Sequence, residues 1–252
     1  MGRGRSKANG AVKTVAPTAK TPSGLTFDDF QKLSDSEKVD AINRIIDDSN
    51  IKVPYYLDSS DTSKVMYALG MDKKPTIVTD KALDAMPGKE IFRTVYEGGT
   101  MPPPSSKDIL DQIRSGDYTQ MSGSGGSAYG RALYFATNVP DSASYGKGRR
   151  NPQMLRAKID PTAKIRAYTT LYAEMKNDTG FQNKIHAKHK NGVYSADSTA
   201  LYAIYKGFDG WYSGTYSMLL NRGVLAVSDT SKVVNSSYTS RQRSWKHMTN
   251  AT

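Results

Sequence analysis

The amino-acid sequence predicts an α+β domain in which helix signals come first and strand signals dominate the second half. Ser34 and Glu37 fit a capping box, and the apolar residues that follow at helical spacing predict an amphipathic helix over 35–48. Alternating residue types over 90–97 predict a strand with two distinct faces. Further strand signals lie between 208 and 227. Helices and strands that are segregated along a chain in this way are typical of the α+β class.

The segment 25–88 is predicted to be a small helical lead-in to the main domain. Thr26 caps a short helix, and another helix runs over 61–69 until Gly70 stops it. A short strand or an entry loop over 74–79 and a helical turn over 80–86 follow. No residue pattern in this lead-in is typical of a catalytic site.

Length and composition limit the class of protein. The 252 residues suit one domain with arms or two small domains, and 37% hydrophobic content supports a real core. No apolar run of about 18 residues is present, so no membrane span is expected. With no cysteine, disulfides and thiolate chemistry are excluded, and three histidines make a metal site improbable. We therefore expect no metal.

The net charge of +11 is concentrated at the two ends of the chain. Residues 1–24 carry five Lys/Arg and residues 230–252 carry four, with no acid in either segment, which leaves 26 basic and 24 acidic residues between them. We predict a disordered basic arm over 1–24 and a basic tail over 230–252. Such arms bind nucleic acid or acidic assembly surfaces without sequence specificity, and the alternative is that they only keep the protein soluble.

The main domain is predicted to span 89–229. After the strand over 90–97, the sequence predicts a helix at 106–114 and a mobile, hydroxyl-rich loop at 121–126. Later elements include an exposed basic loop at 146–150, strands at 154–159 and 164–168, a polar helical stretch at 170–190, and a helix that Gly207 stops.

One stretch of the main domain, from Tyr129 to Gly146, organises the rest. The apolar run over 133–136 has the length and aromatic content of a strand, and Pro140 fits the first turn of a following helix. Tyr134 and Tyr145 are eleven residues apart. A strand, turn and helix would let their rings face each other across a slot. The alternative is that the aromatic residues belong to the core and a serine caps the helix.

This stretch, Y-G-R-A-L-Y-F-A-(x5)-S-A-S-Y, resembles the second conserved block of the ADP-ribosyltransferases, in particular the poly(ADP-ribose) polymerase and diphtheria-toxin branch. The resemblance implies a split, strongly bent mixed β-sheet around an NAD cleft. It also implies that Tyr134 and Tyr145 sandwich the nicotinamide ring and that Ser142 bonds its carboxamide.

Two outer blocks extend the resemblance over about 90–228. Arg93 falls at the first motif, where the resemblance implies a clamp on the NAD pyrophosphate, but Thr94 departs from the usual glycine. The third block begins at Phe208-Asp209-Gly210 and continues with a strand that normally opens with the catalytic glutamate. That position is Thr215 in this chain.

The resemblance implies NAD-dependent mono-ADP-ribosyl transfer to a protein acceptor that the sequence does not identify. NAD is the substrate, and activity is expected to be weak or absent because Thr215 replaces the glutamate. The implied catalytic residues are Arg93, Tyr134 and Thr215. The implied NAD-binding residues are Arg93, Thr94, Tyr134, Ser142 and Tyr145.

The alternative function is non-catalytic. The tailed, compact, cysteine-free make-up also suits a structural or interaction protein of a bacteriophage virion, either bound to the capsid or ejected with the genome, that keeps the fold. A sequence-specific nucleic-acid binder is disfavoured because the central part of the chain is nearly neutral. No apolar segment lies near the N-terminus, so we expect a cytoplasmic or virion-associated protein rather than one with a secretory signal.

Overall fold

The computed structural model describes residues 21–53, 61–71, 73–97, 105–115, 132–186, 196–235, 245–248 and 250. These residues form helices around an eight-stranded mixed β-sheet. The α+β class and the mixed sheet that the sequence predicts are therefore confirmed.

The sheet has the strand order β1-β8-β4-β2-β3-β7-β6-β5. Its strands are β1 Thr76–Val78, β2 Lys89–Glu97, β3 Leu133–Ala136, β4 Arg150–Ile159, β5 Ile165–Ala167, β6 Gly210–Ser213, β7 Tyr216–Leu219 and β8 Leu225–Val233. The pairs β1–β8 and β5–β6 are parallel, and the other neighbours are antiparallel.

The helices begin and end close to the predicted positions. They are α1 Phe27–Gln31, α2 Asp35–Asp47, α3 Asp61–Ala68, α4 Asp80–Ala85, α5 Ser106–Ser115, α6 Val139–Ser144, α7 Tyr168–Asn177, α8 Thr179–Lys184 and α9 Ala196–Lys206, with 3-10 turns at Arg222–Val224 and Trp245–His247. The predicted capping box of α2 is confirmed, because the Ser34 hydroxyl accepts from the Glu37 N–H and the Glu37 carboxylate accepts from the Ser34 N–H.

The centre of the sheet contains a seam between β2 and β3. Within the described residues these two strands are paired at one position only, Phe92 opposite Ala136. By contrast, β2 and β4 are paired over nearly their whole length. The sheet therefore consists of two four-stranded halves, β1-β8-β4-β2 and β3-β7-β6-β5, that meet at a single pair of residues.

Each face of the sheet is covered by a different set of helices. On what we call the α5 face, Leu110 and Ile113 of α5 pack on inward residues of β2, β3, β4, β7 and β8. On the opposite side, the α6 face, α6 packs beside the seam. On the same face, Trp211 of β6 and Met218 of β7 belong to the largest apolar cluster. This cluster also includes residues of α1, α2, α3, α7, α8 and α9.

The predicted lead-in over 25–88 is part of the same structure as the main domain. Ile42 and Met66 share the large apolar cluster with Phe181 and Leu201 of the later helices. In addition, β1 pairs in parallel with β8 at the edge of the sheet. The apolar face of α2 has to be buried against another element, and the later helices provide it.

The predicted tail over 230–252 also contains packed residues. The boundary at 229/230 falls inside β8, which continues to Val233. Trp245 and Met248 are buried in a third apolar cluster with Phe92. The Lys232 ammonium donates to the Trp245 carbonyl at 2.8 Å and lies 4.9 Å from the centre of its ring. Trp245 and Met248 of this segment are therefore part of the core on the α6 face.

The predicted arm over 1–24 lies almost entirely outside the described residues. Its last residues contact α3, since the Ser23 N–H donates to the Ala68 carbonyl at 3.3 Å. Among the helices that are described, none is long and apolar enough to cross a membrane.

We expect Trp245→Ala to lower the free energy of unfolding by about 3 kcal/mol or more, because it removes a large side chain that is only 7% exposed. Urea denaturation of the full chain measures this. Lys246→Ala, at an exposed neighbouring position, is the matched control and should change stability by no more than about 0.5 kcal/mol. Equal effects of the two substitutions would show that Trp245 is not packed in solution.

Candidate functional site

The tyrosine stretch forms the predicted strand, loop and helix. Strand β3 ends at Ala136, and α6 begins at Val139. The cap of α6 is Asn138, whose side chain accepts from the Asp141 N–H at 2.8 Å. The alternative in which Ser142 is a helix cap is therefore wrong, because Ser142 lies inside α6 and is 1% exposed.

The Ser142 hydroxyl faces β2. It lies 3.0 Å from the Thr94 hydroxyl, and either group can donate in this hydrogen bond. Thr94 is on the α6 face, since Phe92, two residues earlier in β2, packs with Val139 and Ala143 of α6. Threonine at this position, where the resembled pattern has glycine, therefore provides a partner for the buried serine.

Arg93 lies on the opposite face from Thr94, the α5 face, where it is paired with Leu155 between the buried residues Ile91 and Val95. Its side chain is 9% exposed, and Nη1 donates to the Tyr134 carbonyl at 2.6 Å. That carbonyl belongs to β3 just beyond the last β2–β3 pair. The Arg93 guanidinium therefore joins the two halves of the sheet where the strands are no longer paired.

Tyr134 and Tyr145 have different surroundings. Tyr134 is partly buried against the large apolar cluster, whereas Tyr145, at the C-terminal end of α6, is 49% exposed. The predicted arrangement, in which the two rings face each other across a slot, stays a prediction.

A third tyrosine, Tyr216, belongs to this site and was missed by the sequence analysis. Its ring lies edge-on to Tyr145, with the ring centres 6.2 Å apart. Burial, together with a side-chain hydrogen bond to Tyr216, raises the pKa of Tyr145. The register places Tyr216 opposite Ala136, on the same face as Tyr134. The available signal was the alternation of β7, in which residues 216 and 218 face inwards together.

Thr215 lies in the turn between β6 and β7 and is exposed. The Thr137 N–H donates to its carbonyl at 2.7 Å, so this turn is attached to the loop that leads into α6. The Thr215 hydroxyl also donates to the Asp141 carboxylate, and this bond, followed by that from Asn138, lowers the pKa of Asp141 below its ordinary value of 3.8. Asp141 is the second residue that the sequence analysis missed.

Two carboxylates at strand ends, Glu97 at the end of β2 and Asp209 just before β6, have structural partners. Asp209 accepts from the Lys164 N–H at 2.8 Å and from the Asn221 side chain at 2.7 Å. Glu97 pairs with Arg150 at 2.9 Å and accepts from the Asn151 side chain at 2.8 Å. Both carboxylates therefore hold neighbouring segments together.

The predicted basic loop over 146–150 is confirmed in part. Gly146 ends α6 and is packed so closely that an added Cβ would lie 2.8 Å from Pro152 and 3.0 Å from Val234. Arg149 lies over the Tyr96 ring at 4.8 Å, and Arg150 is already the first residue of β4. The predicted mobile loop over 121–126 lies outside the described residues.

A cavity of about 580 Å³ lies beside the N-terminal end of α6, and none of the three tyrosines is among the residues that line it. Its wall includes Asn138, Trp245 and the buried Arg156. Arg156 is hydrogen-bonded to both Glu90 and Asp84. Because the Arg156 guanidinium is already bonded to two carboxylates, it is not placed to bind an anion in this cavity.

In the part of the chain that the structure describes, no group of three or more Asp, Glu or His side chains is placed to hold a metal ion. Comparisons with protein-family models, with curated proteins and with solved structures return no match.

We expect Thr94→Val to destabilise the protein by about 1–2 kcal/mol, because it leaves the buried Ser142 hydroxyl without this partner. Thr94→Ser keeps a hydroxyl and is the matched control. A double-mutant cycle with Ser142→Ala should give a coupling energy of about 1 kcal/mol in urea denaturation. Additive effects would contradict a direct bond between the two hydroxyls.

Proposed function

We propose that this protein binds NAD at the seam between β2 and β3 and acts as a mono-ADP-ribosyltransferase-like protein with slow transfer. The observation that carries the proposal is the position of one buried serine hydroxyl on the short helix between Tyr134 and Tyr145. The same helix packs on β2 and β3, where the two half-sheets separate.

The chemistry of this constellation suits a flat ring that carries an amide. Aromatic side chains provide stacking surfaces, and a buried hydroxyl can both donate to and accept from a carboxamide. Tyr145 is 49% exposed, so part of its side chain is accessible to a ligand. These properties support nicotinamide as the group bound here, as the resemblance of the sequence implies.

Three features of the site support slow rather than fast transfer. The Ser142 hydroxyl is already bonded to Thr94, so a carboxamide has to share or replace that bond. Thr215 carries no negative charge to stabilise an oxocarbenium-like transition state. One N–H group of Arg93 donates to the Tyr134 carbonyl, so the guanidinium already has a bond within the sheet that a phosphate would have to share or replace.

We expect the full chain to bind NAD and Tyr145→Ala to weaken binding about five- to thirtyfold, since a lost stacking contact costs about 1–2 kcal/mol. Ser142→Ala should also weaken binding. Isothermal titration calorimetry measures both effects. Tyr212→Ala is the matched control, because Tyr212 is 43% exposed and lies on the α5 face of β6.

Absence of NAD binding at millimolar concentration would reject this proposal. Binding that Tyr145→Ala and Tyr212→Ala affect equally would show that NAD binds elsewhere on the protein.

The second candidate function is that of a non-catalytic structural or interaction protein, such as a phage virion component. The observation that favours it is again the Thr94–Ser142 pair, because a buried hydroxyl that already has a protein partner needs no ligand. In this case the basic ends of the chain would attach the protein to nucleic acid or to an acidic assembly.

We expect removal of residues 1–20, which contain five Lys/Arg and no acid, to weaken retention on DNA and to make it less dependent on salt. Each lost phosphate contact reduces the magnitude of the slope of log affinity against log salt by about 0.9, so the loss of all five should reduce it by up to about 4.5. Replacing the same five residues by Gln is the matched control for length. If the Gln variant binds DNA like the full chain, the basic arm is not the attachment site.

A further inference from the structure

We propose that Asp141 is the catalytic carboxylate of this site and that Thr215 is the residue that positions it. The inference rests on the proposed function, since it assigns the negative charge for cleavage of NAD. It differs from the expectation based on sequence, in which the absence of a glutamate at 215 leaves the site without a carboxylate.

Two separate contacts bring α6 to the β6–β7 turn. The Thr137 N–H donates to the Thr215 carbonyl at 2.7 Å, and the Thr215 hydroxyl donates to the Asp141 carboxylate. The resemblance places the catalytic glutamate in this turn. A carboxylate therefore contacts the turn in this protein too, but it comes from Asp141 of α6.

The Asp141 carboxylate is held in one orientation. The Asn138 side chain donates to its Oδ2 at 2.8 Å, while the Asp141 N–H donates back to the Asn138 side chain at 2.8 Å. Together with the Thr215 hydroxyl, two neutral donors fix the carboxylate without neutralising its charge. A preorganised, ionised group is what stabilisation of a developing positive charge requires.

Asp141 lies close to the other site residues on α6. It is the residue before Ser142, and it lies four residues before Tyr145, so Asp141 and Tyr145 are neighbours on one side of the helix. Asp141 is partly exposed, which leaves the carboxylate accessible to a ligand. One short helix therefore carries the hydroxyl, a stacking ring and the negative charge.

Asp209 and Glu97 are poorer candidates than Asp141 for the catalytic carboxylate. Asp209 receives the Lys164 N–H and the Asn221 side chain, and Glu97 is in an ion pair with Arg150. Neither has the contact with Thr215 that Asp141 makes.

The proposed step is cleavage of the glycosidic bond of NAD, followed by addition of a nucleophile. The bond between the ribose C1′ and the nicotinamide nitrogen breaks, and its electron pair stays on that nitrogen, which becomes neutral. The positive charge passes to the ribose ring, where the Asp141 carboxylate stabilises it. Water or an acceptor hydroxyl, amine or carboxylate then adds to C1′. When the nucleophile carries a proton, the proton passes to Asp141 and from there to solvent.

We expect Asp141→Asn to lower the rate of nicotinamide release at least about 100-fold while the Kd for NAD changes by less than about threefold. Calorimetry with the full chain measures binding, and single-turnover release of labelled nicotinamide measures cleavage. Glu97→Gln removes a nearby carboxylate outside the site and should leave the rate unchanged. Because asparagine keeps an oxygen for Asn138 to donate to, α6 is expected to fold normally.

The positioning role of Thr215 has its own readout. Thr215→Val removes the hydroxyl that favours the ionised carboxylate, so the acid limb of the pH–rate profile should move to higher pH, and Thr215→Ser should restore it. A purely structural role of Thr215 would lower the rate without moving that limb.

The outcomes separate the two proposals. If the protein does not bind NAD, the proposed function fails and this inference fails with it. If it binds NAD but releases no nicotinamide, or releases it equally fast after Asp141→Asn, the inference about Asp141 is wrong and the proposal of NAD binding stands.

Discussion

The seam between β2 and β3 is the constraint on which the rest of the structure depends. One backbone pair, Phe92 with Ala136, joins the two halves of the sheet, and the edges of both strands beyond it need other partners. The Arg93 guanidinium provides one from the α5 face by donating to the Tyr134 carbonyl. On the α6 face, Thr94 contacts Ser142 and thereby holds α6 over the opening. Neighbouring residues of β2 thus close the seam from both sides.

Helix α6 is held in place by its neighbours rather than by its own stability. It has six residues, which is too short to be stable alone. Its leading loop is bonded to the β6–β7 turn, Ser142 is bonded to β2, and Gly146 at its end fits closely against Pro152 and Val234. These contacts join α6 to both halves of the sheet. A site on such a helix is as rigid as the packing around it, which includes Trp245 from the C-terminal segment.

Local sequence signals predicted the elements well and their long-range contacts poorly. The capping box located α2, and alternation located β2 to within one residue. The parallel pairing of β1 with β8 and the burial of Trp245 join residues that are far apart in the chain, and no local pattern specifies them. The same limit applies to the site. Tyr134, Ser142 and Tyr145 lie within one stretch and were identified together, whereas the contact of Asp141 with Thr215 depends on how the β6–β7 turn docks.

The two departures from the resembled motifs share one structural property, since each contacts α6. Thr94, where glycine is usual, is bonded to Ser142, and Thr215, where glutamate is usual, is bonded to Asp141. Considered one position at a time, Thr94 and Thr215 are each a mismatch to the resembled motifs. The structure instead shows two hydroxyl groups that orient two adjacent residues of the helix. If the negative charge of the site has moved from the β6–β7 turn to α6, then a threonine that donates to the new carboxylate fits position 215 better than a second acid, which would repel it. Under the proposed function, the contacts that Thr94 and Thr215 make with α6 determine whether the site is active.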